Sequence, residues 1–283
     1  MKKSGTFTAI VVTVAIVVSI IVHVWVFGNV KNFKDTGNLT PAGWTGKLGS
    51  IGGYKTVDGK DPSLVPANLL GTVYLGGFVV PILLTLSIMV VTYTIERYLS
   101  LNKAKGRGKI EVFLKDVQLA LKDGKIEEAV SLCDNQRGSI ANIIKQGIER
   151  YQTLAFVKDM DAEKKLEEVK NAIEEAMGLE IPLLNTNLPV IATIASISVL
   201  FGLFGTVLGM IRSFAAMSSA GTPNASELSA GISEALINTA FGLFGAIVGT
   251  ISYNFFLTKV GNITYMIDEA TYNLLSILAI RSK

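Results

Sequence analysis

The chain contains four long apolar runs, and these constrain its fold more than any other feature of the sequence. A helix needs about 20 residues to cross roughly 30 Å of hydrocarbon. Each run reaches that length; they cover residues 7–27, 69–94, 188–211 and 228–257. Apolar residues make up 49% of the 283 residues and charged residues only 17%, a composition too hydrophobic for an ordinary soluble domain. The sequence therefore predicts an all-α, polytopic membrane protein surrounded by membrane lipid.

Composition argues against several classes of site. The net charge is only +3, and no basic stretch is interleaved with aromatic residues, so we expect no nucleic-acid partner. Cys133 is the one cysteine and His23 the one histidine, which is too few for a disulfide framework or a metal site. We interpret His23 as an interfacial residue and Cys133 as a small buried side chain. No metal and no cofactor are predicted.

Cationic residues at the ends of the runs predict the orientation of the chain. Lys2 and Lys3 precede the first run, and five Lys and Arg residues crowd residues 97–109 after the second. Both flanks are expected on the cytoplasmic side, although five lysines in residues 28–68 weakly oppose this. The predicted segments are a signal-anchor span (1–27), an extracytoplasmic loop (28–68), a transmembrane helix (69–97), a cytoplasmic helical domain (98–187), two transmembrane helices joined by a short periplasmic loop (188–257) and a cytoplasmic C-terminal tail (258–283).

Two of the runs carry local signals. The first lacks a small-x-small cleavage pattern after its apolar stretch, so we interpret it as an uncleaved anchor rather than a removed signal peptide. The second carries Pro81 near its middle, and proline removes a helical hydrogen bond. A kink at Pro81 is therefore expected. Residues 28–68 are rich in Gly, Thr and Asn with little periodicity, which predicts an irregular loop.

The segment from residue 98 to residue 187 has the texture of a soluble helical domain. Apolar residues recur with helical spacing, and Asp123-Gly124 separates two such stretches. From Asp161 an amphipathic pattern continues into the third run without a loop signal, which predicts one long helix bent at Pro182 or Pro189. Its charges form the i,i+4 pairs Lys164/Glu168 and Lys170/Glu174. We interpret them as a solvated helix face rather than a partner-binding surface.

Small residues mark the third and fourth runs as helices that face protein rather than lipid. Small side chains at spacings of three or four let helix backbones approach closely. The packing glycines are Gly202, Gly205, Gly209, Gly242, Gly245 and Gly249. The string Phe-Gly-Leu-Phe-Gly begins at Phe201 and recurs at Phe241. It reflects either an inverted repeat or a shared packing need, and we favour the second.

Glu234 is the one acidic residue inside an apolar run. A carboxylate in the membrane is costly, which makes it a functional candidate. Glu234 lies about two turns from the start of its run, so an interfacial glutamate at a helix N-terminus is an equal alternative. Thr239 follows about 7.5 Å deeper and about 140° around the helix. The hydroxyls of such threonines most often bond to a carbonyl of their own helix.

The last two runs resemble a known family of proton channels. The resemblance rests on Val190-Ile-Ala-Thr-Ile-Ala-Ser, on Phe201-Gly-Leu-Phe-Gly-Thr-Val-Leu-Gly-Met-Ile and on Gly231-Ile-Ser-Glu-Ala-Leu-Ile-Asn-Thr-Ala-Phe-Gly-Leu. These strings resemble the channel core of the ExbB/TolQ/MotA family, most closely its ExbB branch. The resemblance implies a homopentamer in the bacterial inner membrane, an ExbD-like single-span partner in its pore, and a TonB-like protein energised by proton flow. It places the family's functional residues on Thr206, Glu234 and Thr239.

The residues also suggest a division of labour in proton transfer. The middle parts of the last two runs, which lie farthest from the membrane surface, contain hydroxyl groups and Asn238. They contain no carboxylate, histidine or lysine. We therefore predict a polar, hydrated sleeve lined by Thr206, Glu234, Asn238 and Thr239. A partner helix would bring the carboxylate that binds and releases the proton.

Two departures from the family pattern and several alternatives remain open. The N-terminal run adds one crossing to the family's usual three, and Val199 stands where members often carry proline.

A TolQ-like role in envelope maintenance, a MotA-like stator and a passive membrane scaffold are the alternatives. An enzyme is the least expected function, because the sequence contains no Ser/His/Asp set, metal-ligand cluster or phosphate-binding glycine loop.

Overall fold

A computed structural model describes residues 2–33, 39–41, 54–56, 66–157, 160–219 and 225–281. These residues form nine α-helices. Their bounds are α1 Lys2–Ile21, α2 Leu69–Tyr74, α3 Val79–Ala104, α4 Ile110–Lys122, α5 Ile126–Gln136, α6 Ser139–Ala155, α7 Ala162–Asn185, α8 Leu188–Ser219 and α9 Ala225–Arg281. Four stretches are long and apolar enough to cross a membrane: Thr6–Phe27, Val79–Ala104, Ala162–Ala215 and Leu228–Ile280. The prediction of an all-α polytopic membrane protein is confirmed.

Short elements fill part of the segment after α1. A π-helical turn, Val22–Phe27, continues α1, and a 3-10 turn, Val30–Asn32, follows it. The strands β1 (Leu39–Pro41) and β2 (Tyr54–Thr56) pair antiparallel. The predicted irregular loop therefore contains a small piece of sheet, while its residues 34–38, 42–53 and 57–65 lie outside the described part of the chain.

The chain folds as two compact units, Met1–Thr94 with Val190–Ser252 and Ile95–Pro189 with Tyr253–Lys283. The first unit contains the apolar helices. In it, Val11, Ala15 and Ser19 of α1 are buried and lie four residues apart, and Phe7 of α1 packs edge-on against Tyr93 of α3. The Ser19 hydroxyl lies 2.7 Å from that of Thr85. The opposite side of α1 leaves large apolar residues exposed, as expected for a helix in lipid.

The second predicted span begins later than its apolar run. Helix α2 ends at Tyr74 and α3 starts at Val79, with Gly77 between them at a φ of +73°, a conformation that favours glycine. Pro81 is therefore the third residue of α3, where a backbone N–H has no intrahelical partner to lose. The predicted kink at Pro81 is wrong, and the break lies at Gly76–Gly77 instead.

The second unit is a helical bundle of α4 to α7 with the C-terminal part of α9. The predicted break at Asp123-Gly124 is confirmed, since α4 ends at Lys122 and α5 begins at Ile126. Beyond the apolar run, α9 buries one residue every three or four positions against this unit. These residues are Val260, Ile263, Ile267, Ala270, Leu274 and Leu278. The segment predicted as a C-terminal tail is thus a packed continuation of α9.

The predicted single helix after Asp161 is interrupted. Helix α7 ends at Asn185 and α8 begins at Leu188, and Asn187 adopts a positive φ of 63°. The Asn187 amide donates to the Glu96 carboxylate at 3.0 Å, and the buried Arg97 donates to the Leu184 carbonyl at 3.4 Å. These bonds satisfy backbone and side-chain groups where the two helices separate. The interruption lies between the two predicted prolines, and Pro189, the second residue of α8, has no N–H to donate to the carbonyl of Asn185, the last residue of α7.

One of the two ion pairs predicted on the charged face of α7 is present in the structure. Lys170 lies 3.6 Å from Glu174, as its i,i+4 spacing predicts. Glu168 instead pairs with Arg150 of α6, so the predicted pair with Lys164 is replaced by a contact between helices. Exposed pairs of this kind contribute about 0–1 kcal/mol each. The face is mainly a solvated surface of the bundle.

Cys133 is buried in α5, as the sequence predicts, with 2% of its surface exposed. Burial, together with the smaller effect of the neighbouring Asp134 carboxylate, raises the pKa of its thiol to about 12. Because maleimides react with the thiolate, we expect no labelling of the native protein at about pH 8 and full labelling after unfolding. The double variant Cys133→Ser/Ser131→Cys moves the thiol to an exposed position of the same helix and is expected to react in the native state. Rapid native labelling of Cys133 would contradict the buried placement.

Candidate functional site

Helices α8 and α9 cross in close contact along their glycines. A Cβ atom at Gly202 would lie 3.1 Å from the Gly242 Cα, and one at Gly209 would lie 2.7 Å from the Gly231 carbonyl oxygen. Further along the crossing, Gly245 faces the Ser198 hydroxyl and Gly249 faces the Ala195 methyl group. Backbones this close leave no room for larger residues.

The repeated Phe-Gly-Leu-Phe-Gly string lies in this crossing. Its first glycines, Gly202 and Gly242, meet each other, while Gly205 packs against the Asn238 side chain. The repeat thus coincides with positions where antiparallel helices must approach, which is the packing explanation preferred from the sequence.

Glu234 lies inside this crossing, not at its surface. Only 3% of the residue is exposed, and its Oε2 atom accepts a hydrogen bond from Arg212 Nη1 of α8 at 2.6 Å. A buried carboxylate requires such a partner because desolvation of a lone charge costs several kcal/mol or more. The Glu234 carboxylate is therefore enclosed by the packed helices, whether it lies deep in the membrane or near its surface.

The break between α2 and α3 faces the same carboxylate. A Cβ atom on Gly77 would lie 2.6 Å from Glu234 Oε1, so the glycine gives the carboxylate its space, and its φ of +73° also favours glycine. Four residues along α9, the buried Asn238 donates to the Gly76 carbonyl at 3.1 Å. The helix break frees that carbonyl, and Asn238 satisfies it. Glu234 and Asn238 therefore lie on one face of α9, against the Gly76–Gly77 turn.

Thr206 and Thr239 lie in the same pair of helices, but their hydroxyls bond locally. Thr206 donates to the Leu203 carbonyl at 2.6 Å and Thr239 donates to the Ala235 carbonyl at 3.1 Å. Both side chains are half-buried. This is the local hydrogen bonding that the sequence favours for membrane threonines, and it leaves the lone pairs of each hydroxyl free to accept a hydrogen bond.

Sequence reasoning missed Arg212 and the glycine pair Gly76–Gly77. Arg212 is the single Lys or Arg between residues 188 and 257, and a lone cation near a lone buried acid is a signal that could have been used. The adjacent glycines inside an apolar run also signal a break. Neither signal says that the two features meet at Glu234, because that depends on how α3, α8 and α9 pack.

The described residues contain no group of three or more His, Cys, Asp and Glu side chains that could hold a metal ion. The arrangement instead offers one buried carboxylate, one guanidinium and a few hydroxyl and amide groups between apolar helices. Such groups can bind a proton or water rather than support covalent chemistry.

Comparison with known proteins identifies the family. The model of the MotA/TolQ/ExbB proton channel family matches residues 135–269, which include α8 and Glu234. The ExbB-like 3 protein of Synechocystis, named as a biopolymer transport protein, is 34% identical over 168 residues, 58% of this chain and 73% of that protein. The biopolymer transport protein ExbB of Aquifex aeolicus is 37% identical over 114 residues, 40% of this chain and 69% of that protein.

Other relatives carry a different name. The Tol-Pal system protein TolQ of Pseudomonas aeruginosa is 31% identical over 120 residues, 42% of this chain and 52% of that protein. The TolQ of Haemophilus influenzae is matched over 57% of its length, so the chain spans little more than half of these two relatives. The family is one of proton channels, not of enzymes. With relatives above 30% identity matched over two thirds or more of their length, the chain belongs to the MotA/TolQ/ExbB proton channel family.

Proposed function

We propose that this chain is the ExbB-like channel subunit of an energy-transducing complex in the bacterial inner membrane. In this proposal it uses the proton motive force, together with an ExbD-like single-span partner, to energise a TonB-like protein for outer-membrane uptake. The observation that carries the proposal is the buried Glu234 carboxylate between α8 and α9. Ionisable residues at such positions mark proton or ion paths by default, and the channel family supplies the class of cargo.

The residues around Glu234 suggest how the subunit contributes. Thr206, Thr239 and Asn238 add polar groups to helices that are otherwise apolar, so they favour water over bare hydrocarbon along the path. The partner helix supplies a second carboxylate, and protons pass between it and the hydrated sleeve. Each proton yields about 2.3 kcal/mol per 100 mV of membrane potential, and this free energy is what the complex converts into mechanical work.

Assembly of several copies is part of the same proposal. Large apolar side chains of α8 and α9 are exposed in the single chain. They include Leu203, Phe204, Val207, Leu243, Phe244 and Ile247. Such exposed apolar side chains can pack against the helices of other copies as well as against lipid. We propose a homopentamer, as the family resemblance implies, with the partner helix in its centre.

A TolQ-like role is the second candidate, because two of the relatives are Tol-Pal system proteins. The channel chemistry would be the same and the client would differ. Purification of the tagged chain from its native membrane in mild detergent distinguishes the two by the proteins that accompany it. ExbD-like and TonB-like proteins support the first role and Tol-type proteins the second; their absence from the purified complex would favour a passive scaffold.

Replacement of Thr239 by valine tests the channel itself. Valine keeps the shape of the side chain and removes the hydroxyl. We expect proton flux through proteoliposomes containing the purified complex to fall about tenfold, the effect of losing one hydrogen bond of roughly 1.4 kcal/mol along the path. The matched control is Thr258→Val, because Thr258 also bonds to its own helix, through the Asn254 carbonyl at 3.0 Å. Equal flux in both assembled variants would contradict the role of Thr239.

A further inference from the structure

The ion pair between Arg212 and Glu234 is asymmetric in its exposure. The Arg212 side chain is 60% exposed, whereas the Glu234 side chain is 5% exposed. The carboxylate therefore carries nearly all of the cost of desolvation. The Arg212 guanidinium, which is always charged, contacts the Glu234 carboxylate while most of the Arg212 side chain stays exposed.

The contact between the two residues is a single hydrogen bond. Arg212 Nη1 donates to Oε2 at 2.6 Å, while Oε1 is buried and has no hydrogen-bond partner among the described residues. Oε1 instead faces Gly77, whose missing side chain provides its space. Because a carboxylate can accept several hydrogen bonds, Glu234 is held as an anion mainly by this one cation.

The surroundings of the pair do not replace that cation. Asn238 uses its amide N–H on the Gly76 carbonyl. Gly77 contributes space but no charge. Residues 66–94, which include the Gly76–Gly77 turn and the first part of α3, contain no charged residue, and residues 188–257 contain no Lys or Arg besides Arg212. Removal of Arg212 would therefore leave a buried carboxylate without a compensating charge.

We propose that Arg212 is a positioning residue for Glu234, which it holds ionised and turned toward the Gly76–Gly77 turn. Glu234 takes up a proton only when this contact is broken; the proton then binds a carboxylate oxygen, and Arg212 keeps its charge. This inference rests on the proposed channel function, since it makes Glu234 a gated proton site. The effect of Arg212 on the protonation of Glu234 can also be measured without proton flux.

Labelling with dicyclohexylcarbodiimide tests the ion pair, because this reagent modifies protonated carboxyl groups in apolar surroundings. The full-length protein is treated in its native membrane, and mass spectrometry measures the modified fraction of Glu234 over time. We expect slow modification of the wild type and at least about tenfold faster modification of Arg212→Gln, since a buried carboxylate that has lost its cation is neutralised by taking up a proton. Arg212→Lys keeps the charge and is expected to restore slow modification.

The matched control is Lys259→Gln, which removes one positive charge from α9 but leaves Arg212 in place. Modification of Glu234 in this variant is expected to equal that of the wild type. Equal rates in the wild type and Arg212→Gln would overturn the proposal, and so would equal rates in Arg212→Lys and Arg212→Gln. If Arg212→Gln does not fold, the wild-type and Arg212→Lys proteins still decide, since rapid modification of Glu234 in both contradicts an ionised, paired carboxylate.

Proton flux of the wild-type complex separates this inference from the proposed function. Absence of flux together with the expected labelling pattern would reject the channel role and keep the positioning role of Arg212. Normal flux together with a Glu234 labelling rate that does not depend on Arg212 would keep the channel role and reject the positioning role of Arg212. Normal flux with the expected labelling supports both.

Discussion

The variant Gly242→Ala is expected to destabilise the protein by about 1–3 kcal/mol, the usual cost of forcing extra volume into a tight contact. A Cβ atom at this position would lie 2.7 Å from the Ser198 carbonyl oxygen and 2.8 Å from the Gly202 Cα. Both are backbone atoms, so no side-chain rotation relieves the clash. Helices α8 and α9 must move apart, which also weakens the surroundings of Glu234.

A matched substitution on the same helix provides the control. At Gly261 an added Cβ would meet nothing within 4 Å, so Gly261→Ala is expected to gain about 0.5–1 kcal/mol from better helix propensity. Thermal unfolding of both variants in the same detergent measures the difference. Similar shifts in the two unfolding temperatures would show that Gly242 is not a tight contact.

The membrane-spanning helices were predictable because their signal is composition over about 20 residues. The ends of these helices were not, since each end depends on contacts that composition does not contain. Pro81 illustrates this. Its effect depends on where α3 begins, and α3 begins at Val79 because Gly77 allows the chain to turn. A proline in the first turn of a helix is harmless, whereas the same residue at mid-span would bend it.

The charged residues show a similar limit. Spacing along one helix correctly paired Lys170 with Glu174, but the same rule paired Glu168 with Lys164 when its partner is Arg150 on another helix. At the break between α7 and α8, the hydrogen bonds of Arg97 and Asn187 likewise join distant parts of the sequence. Local spacing predicts local pairs only.

The candidate site was predictable from the sequence only in part. The sequence singled out Glu234 as an acid in an apolar run but left its burial open, because distance from the start of a run does not say what covers a side chain. Its partner Arg212 is 22 residues away in sequence, on a helix whose alignment with α9 is set by the packing of small residues such as Gly202 and Gly242. The glycine pattern was visible; the pairing that it produces required the structure.

Replacement of Glu234 by glutamine is expected to abolish most proton flux while leaving the protein assembled. Glutamine keeps the size of the side chain but cannot take up and release a proton, and a positioned proton-transfer group is worth about 10²–10⁴-fold in rate. We therefore expect a loss of at least about 100-fold in proteoliposome flux.

The structural cost of Glu234→Gln is expected to be small, because Arg212 is largely exposed and the glutamine oxygen can still accept its hydrogen bond. Gel filtration and thermal unfolding check that assembly is kept. The matched control, Glu269→Gln, removes an exposed carboxylate from the same helix and is expected to retain full flux. Since the two variants change net charge equally, a difference between them isolates the buried position, whereas undiminished flux in Glu234→Gln would mean that the protons bypass this carboxylate.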